Sequence, residues 1–229
     1  MRKTELKLPG QNDYFIEEAY KVLRTNLQFC GQDIKTILIT SCNENEGKTV
    51  VSLHLAKSLA ELGKRVIVID ADMRKSVMAG RNAGVRGHSG LSEVLTGMCK
   101  LNECICATQY ERMHILFAGK YPPNPVELLS GRYFSALLGE MRKIYDYVIV
   151  DTPPLGRVID AAVVAPYCDG SILVIGGSNV RHRQAQEVVD QLKKSGSKIL
   201  GVVRNSVAQK SGSKYYGKPY GRKACGPKK

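Results

Sequence analysis

The sequence predicts a doubly wound α/β domain on a single, mostly parallel sheet. Short apolar, β-branched runs recur at 35–41, 65–70, 114–118, 147–151, 171–175 and 198–204. Helical periodicity fills most of the intervals between them, and strands separated by helices pair in parallel through right-handed crossovers. A chain of 229 residues with 43% hydrophobic content is large enough to bury one substantial core.

The elements follow in order. Over 13–29, Phe15, Ala19, Val22, Leu23 and Leu27 recur at helical spacing, with Glu17, Lys21 and Arg24 on the opposite face, so an amphipathic helix capped by Asp13 is expected. The run 35–41 is too short and too β-branched for a helix and suits a strand buried on both faces. A glycine-containing turn leads into a helix over 49–62 that stops at Gly63. Past Gln209, Gly, Ser, Lys, Pro and Tyr replace apolar periodicity. The expected organisation is a helical region over 1–34, a core domain over 35–208 and a flexible basic tail over 209–229.

Composition excludes several classes. No stretch approaches the roughly 18 to 20 apolar residues of a membrane span. The basic start Met1-Arg2-Lys3 runs into Thr4-Glu5 and Pro9-Gly10 rather than an apolar signal core, so a cytosolic location is expected. Seven scattered cysteines suit reduced thiols better than a disulfide framework. Cys99, Cys104 and Cys106 precede His114, yet no paired CxxC spacing marks a metal site there. A formal charge of +13 calls for an anionic partner, and the segment 210–229 carries seven Lys and Arg with no acidic residue.

The chemistry lies at strand ends. Ser41-Cys-Asn-Glu-Asn-Glu-Gly-Lys-Thr49 joins a strand to a helix, where a sheet of this kind binds phosphate. Gly47 lets backbone amides close on phosphate oxygens, Lys48 neutralises them, and the Thr49 hydroxyl suits Mg²⁺. Cys42 occupies the position of the usual leading glycine, so read alone Gly47-Lys48-Thr49 is also compatible with a plain helix start. Asp70 and Asp72 end one apolar strand and Asp151 ends another, at the same rim of the sheet, where they can hold and position Mg²⁺. Singly, each could instead cap a turn or helix. Together with the lysine they meet the needs of phosphoryl transfer: a metal ligand, a charge-neutralising cation and an acceptor-activating group.

These residues resemble the bacterial protein-tyrosine kinases of capsule and exopolysaccharide assembly, the BY-kinases, over nearly the whole chain. The altered Walker A motif of that family matches Ser41 to Thr49, its acidic DxDxR motif matches Asp70-Ala-Asp72-Met-Arg74, and its Walker B motif matches Asp151-Thr-Pro-Pro154. The resemblance implies a P-loop kinase using ATP and Mg²⁺. In it Asn45, Glu46, Gly47, Lys48, Thr49 and Val50 hold the nucleotide, and Thr49, Asp70 and Asp151 organise the metal. Asp70 and Asp72 help activate the tyrosine hydroxyl, with Asp72 preferred as the base, since a phenol with a pKa near 10 must shed its proton to attack. Asn205 resembles the asparagine that contacts adenine in related ATPases, although a turn-forming role fits it as well.

The first helix resembles the oligomerisation helix of the family, with Glu18, Lys21 and Arg24 in its ExxRxxR motif. Lys21 loses the bidentate fork of arginine, and a solvated helix face accounts for the same residues. Tyr215, Tyr216 and Tyr220 match the C-terminal tyrosine cluster. Three phosphorylations would add about −4.5 to −6 charge to a basic segment, making an electrostatic switch. Solvated tyrosines, or nucleic-acid contacts, are the plain alternative. The expected activity is autophosphorylation in trans, regulating polysaccharide synthesis and export. The implied partners are a transmembrane activator of the polysaccharide co-polymerase type, further copies in a ring, and a cognate tyrosine phosphatase, with no nucleic acid. The implied location is the inner face of the membrane. A partition- or division-site ATPase, or a non-catalytic nucleotide-sensing scaffold, is the alternative. Glu44-Asn45 stands where the family has Pro-Gly, which predicts weakened ATP binding, with Asn45 easing the backbone demand.

Overall fold

The computed structural model describes residues 2–10, 13–81, 89–177 and 180–205. In chain order they form β1 (Arg2–Lys3), α1 (Tyr14–Phe29), β2 (Thr36–Ser41), α2 (Lys48–Glu61), β3 (Val66–Asp70), α3 (Met78–Arg81), α4 (Leu91–Leu95), α5 (Leu101–Cys104) and β4 (Ile105–Ala107). Then come β5 (Met113–Leu116), α6 (Pro125–Ser130), α7 (Arg132–Ile144), β6 (Tyr147–Asp151), α8 (Asp160–Val164), a 3₁₀ turn (Ala165–Tyr167), β7 (Gly170–Gly176), α9 (His182–Lys194) and β8 (Ile199–Asn205). One eight-stranded sheet runs β1-β4-β5-β3-β6-β2-β7-β8, and every pairing is parallel except β4 with β5.

The central strands β2 and β3 are buried at every position, as their unbroken apolar runs require. Alternate residues feed two cores. Leu38, Ile67, Ile69, Val148 and Val150 face Leu137, Leu138 and Met141 of α7 and Leu192 of α9. Ile37, Ile39, Val66, Val68 and Ile149 face Val51, Leu55 and Leu59 of α2 on the other side. Helix α2 is buried from Lys48 to Ala60 apart from Val50, because α1 covers its outer side. It ends before Gly63 at φ 82°, a left-handed position suited to glycine.

Helix α1 carries the expected cap: Asp13 Oδ1 accepts from the amides of Phe15, at 2.9 Å, and Ile16. Its faces, however, depart from the amphipathic reading. Glu17 reaches Lys57 Nζ at 3.3 Å and Arg24 donates to the Ser58 carbonyl at 2.6 Å, so two charged residues face α2. Phe15 and Val22 remain 57% and 59% exposed, along with Phe29. The reason is that α2 presents the Lys57 ammonium and the Ser58 carbonyl and hydroxyl, which an apolar stripe could not satisfy.

The N-terminal segment also does more than lead into a helix. β1 pairs with β4, the Thr4 amide donates to the Ala107 carbonyl, and both backbone groups of Leu6 bond the Gln109 amide side chain. Leu6 and Leu8 are buried. Strands of two and three residues are too short to register as periodicity, so neither β1 nor β4 was expected. No helix among the described residues is long and apolar enough to cross a membrane.

Candidate active site

The loop from β2 to α2 is built by two left-handed residues, Asn45 at φ 62° and Gly47 at φ 86°. Asparagine and glycine are the residues that accept this geometry at least cost. Gly47 is also the N-cap of the 14-residue α2, and no side chain caps the helix start. The first-turn amides, including those of Lys48, Thr49 and the half-buried Val50, lack intrahelical acceptors. Together with the helix dipole they make an anion site.

The rest of the loop is braced from inside the chain. Buried Glu46 turns its carboxylate back to accept the Asn43 amide at 2.8 Å, and Gln184 of α9 donates to Asn43 Oδ1 at 2.8 Å. Asn205 donates from Nδ2 to the Glu46 carbonyl at 3.0 Å. Its amide fills the space over Gly47 so closely that a Cβ there would collide with it. Cys42, at the expected glycine position, is buried, and burial pushes its thiol up to about 11. Its carbonyl lies against Gly156, where a Cβ would also collide, so the segment after β6 closes over the loop.

The carboxylates meet this loop because β3 and β6 are neighbours in register, with Asp70 opposite Asp151. Asp151 accepts from Thr49 Oγ1 at 2.7 Å and from Ser52 Oγ at 3.0 Å. Ser52 Oγ also lies 2.9 Å from the Lys48 carbonyl, so its one proton is shared between two acceptors. Asp70 accepts from Ser76 Oγ and from the Asp72 amide. Asp72 lies 3.3 Å from Lys48 Nζ, with side chains 6% and 9% exposed, and accepts the Lys75 amide at 3.0 Å. Lys48, Asp70, Asp72 and Asp151, spread over more than a hundred residues of sequence, therefore share one site.

Electrostatics in that site favour an added cation. Burial first, and the Asp151 charge second, push Asp70 up to about 8. Burial pushes Asp151 up to about 6, against the pull of Lys48, Thr49 and Ser52. Two desolvated carboxylates facing each other relieve their repulsion by taking up a proton or a metal ion. Among the described residues no three His, Cys, Asp or Glu side chains converge closely enough to hold a metal alone. The oxygen ligands that Thr49, Asp70 and Asp151 offer suit Mg²⁺, which takes one or two carboxylates and completes its shell with phosphate and water oxygens. Elsewhere, His114 Nδ1 bonds the Tyr145 hydroxyl at 2.8 Å, while Cys99 Sγ points to Glu103.

An open cleft adjoins the site, lined by Glu44, Lys48, Asp72, Arg74, Lys75 and Arg157, with Val77, Pro153, Pro154 and Val158 as its apolar wall. Glu44, in the Glu44-Asn45 pair expected to weaken ATP binding, is paired with Lys75 at 2.8 Å. That hydrogen bond and charge hold the Glu44 carboxyl below its ordinary range. Arg74 Nε lies 3.0 Å from Oδ1 and 3.2 Å from Oδ2 of buried Asp160. Ser52, Lys75, Ser76 and Asp160 were missed by sequence reasoning. Only Ser52 had a signal there, lying about one helical turn past Thr49. In α1, Glu18 pairs with Lys21 at 2.7 Å, whereas Arg24 is turned into the fold. Tyr215, Tyr216 and Tyr220 lie outside the described residues.

A glycine-lysine-threonine loop at a helix start, with carboxylates at the ends of adjacent parallel strands, defines a P-loop nucleoside-triphosphate site. A family model described as an AAA domain matches residues 34–194. Over 193 residues the chain is 42% identical to the tyrosine-protein kinase CpsD of Streptococcus agalactiae, covering 84% of this chain and 83% of that protein. The solved kinase domain of the Escherichia coli tyrosine kinase ETK superposes with a TM-score of 0.81 at 34% identity, covering 87% of this chain and 78% of that one. The chain belongs to the bacterial tyrosine-protein kinases of capsule synthesis, the BY-kinases. The septum site-determining protein MinD of Pyrococcus horikoshii, solved with Mg-ADP, is more distant. Its TM-score is 0.62 at 27% identity, covering 74% of this chain and 69% of that one.

Proposed function

We propose that this kinase uses Mg·ATP to phosphorylate Tyr215, Tyr216 and Tyr220 of a neighbouring copy, and so regulates capsular or exopolysaccharide synthesis. The observation that carries this reading is the buried Lys48–Asp72 contact at 3.3 Å, which joins the phosphate loop to the second acidic motif. In this reading Lys48 and the first-turn amides of α2 bind the phosphates, and Thr49, Asp70 and Asp151 hold the metal. When bound, Mg²⁺ supplies charge neutralisation at the phosphates. The reaction joins a tyrosine Oη to the terminal phosphoryl group of ATP, releases ADP and leaves the phenolic proton to be accepted.

Asp72 is the acceptor this geometry supports. It lines the open cleft, whereas Asp70 is turned toward Ser76 and Asp151. Lys48 on one oxygen and the Lys75 amide on the other fix its orientation, which is what a general base needs. Asn205 braces the loop through Glu46 and stands beside the nucleotide site, so a contact to the base is proposed for the loaded protein. The kinase works at the inner face of the membrane, in a ring of copies, with a transmembrane activator and a phosphatase that resets it.

The test is to incubate the chain with the cytoplasmic segment of its membrane partner and Mg·ATP, then map phosphotyrosine. Modification of the tail in wild type, absent in Lys48→Met, is expected. An unmodified tail in both would overturn the proposal, and phosphate release without phosphotyrosine would favour an ATPase.

A further inference from the structure

On the kinase reading above, an acceptor tyrosine would reach Asp72 through the cleft beside Lys48, and the rim of that cleft is charged in a particular way. Lys75 and Arg157 make the rim basic, and Arg74 is committed to Asp160. Of the two carboxylates that line it, Asp72 is buried against Lys48. Glu44 is exposed, and its hydrogen-bond partner among the described residues is Lys75, whose own side chain is 77% exposed. An ion pair between two such exposed side chains is readily exchanged. The backbone of Lys75 is meanwhile fixed to Asp72 through its amide, which keeps the pair beside the base, three positions along the chain.

Set beside this, the segment 209–229 contains seven Lys and Arg and no acidic residue. Lys214 directly precedes Tyr215, and a lysine stands two positions before both Tyr216 and Tyr220. A lysine that close to the acceptor must pass the rim whenever its tyrosine enters. Lys75 and Arg157 would repel it unless a carboxylate receives it. We propose that Glu44 is a specificity residue of the acceptor cleft, selecting tyrosines flanked by lysine by exchanging Lys75 for the lysine of the incoming segment. The segment it is matched to is the chain's own 209–229. The proposal rests on the kinase reading above and adds the class of acceptor to it.

The test uses the full chain with the cytoplasmic segment of its membrane partner, Mg·ATP and two added peptides. One has the sequence of residues 212–221, and the other carries Lys214→Glu and Lys218→Glu. For each, kcat/KM for phosphotyrosine formation is measured in wild type and Glu44→Gln, together with KM for ATP. Wild type is expected to favour the lysine peptide about tenfold, and Glu44→Gln, assayed at saturating ATP, to bring the two within about twofold. Glu44→Lys should reverse the preference. Equal preference in wild type and Glu44→Gln would overturn the proposal while leaving the kinase reading intact. So would a loss shared by both peptides with a raised KM for ATP, which marks a structural role. Absence of phosphotyrosine on both peptides and on the tail would instead fell the kinase reading, and this inference with it.

Discussion

Replacing Arg74 with methionine tests whether the second acidic motif is held in place by a buried ion pair. Arg74 Nε sits within 3.2 Å of both oxygens of Asp160. The Asp160 side chain is 1% exposed and that of Arg74 34%. Removing the guanidinium strands a carboxylate in a dry site, and breaking a buried pair from one side costs about 3 to 5 kcal/mol. Because the arginine end keeps some contact with water, the lower figure, about 3 kcal/mol, applies. In a chain of this size each kcal/mol shifts the midpoint by about 2 to 4 °C, so Arg74→Met should lower Tm by about 6 to 12 °C. Asp160→Asn leaves a cation that can turn to solvent and should cost roughly 1 kcal/mol. The double variant should melt close to Asp160→Asn alone, since no buried charge is then left unpaired. Thermal unfolding of the four proteins decides. An Arg74→Met midpoint within 2 °C of wild type, or a double variant equal to the sum of the singles, would refute the reasoning.

Ser52→Ala removes one of two hydroxyls on Asp151, and losing a hydrogen bond to a charged group costs about 1.5 kcal/mol or somewhat more. The Mg²⁺ concentration for half-maximal transfer should therefore rise about tenfold, and an unchanged Mg²⁺ titration would assign Ser52 to the Lys48 carbonyl instead. His54 stacks on Tyr20 with ring centroids 4.7 Å apart and lies 2.9 Å from the Pro9 carbonyl, and burial holds its imidazole below the usual range. The unfolded chain thus takes the proton first as pH falls, so stability present above about pH 6.5 is lost below it. Burial shifts Asp70 and Asp151 upward, so they act in the opposite sense, gaining stability as pH falls. His54→Phe keeps the stacked ring and should lose less Tm than wild type between pH 7.5 and 5.5, the comparison at each pH cancelling the carboxylates. Parallel losses in the two proteins would remove His54 as the cause.

Much of the site could be read along the chain because its parts sit at punctuation marks of local structure. Lys48 and Thr49 follow a glycine at a strand-to-helix turn, and Asp70 and Asp151 each close an apolar run. Strand type, helix limits and the rim of the sheet follow from periodicity and from glycine and asparagine at left-handed positions. Those properties depend on a residue and its near neighbours. Which side chains touch was a different matter. The pairing of Glu44 with Lys75, of Arg74 with Asp160 and of Glu17 with Lys57 joins residues 31, 86 and 40 positions apart, with no periodic trace. The outward turn of Phe15 and Val22 likewise depended on what α2 presented beneath α1. Local pattern was enough for the elements and for the chemistry of the strand ends, because backbone geometry acts within a few residues. The partners of Glu17, Glu44 and Arg74 came only from the tertiary structure, where charges distant in sequence become adjacent in space.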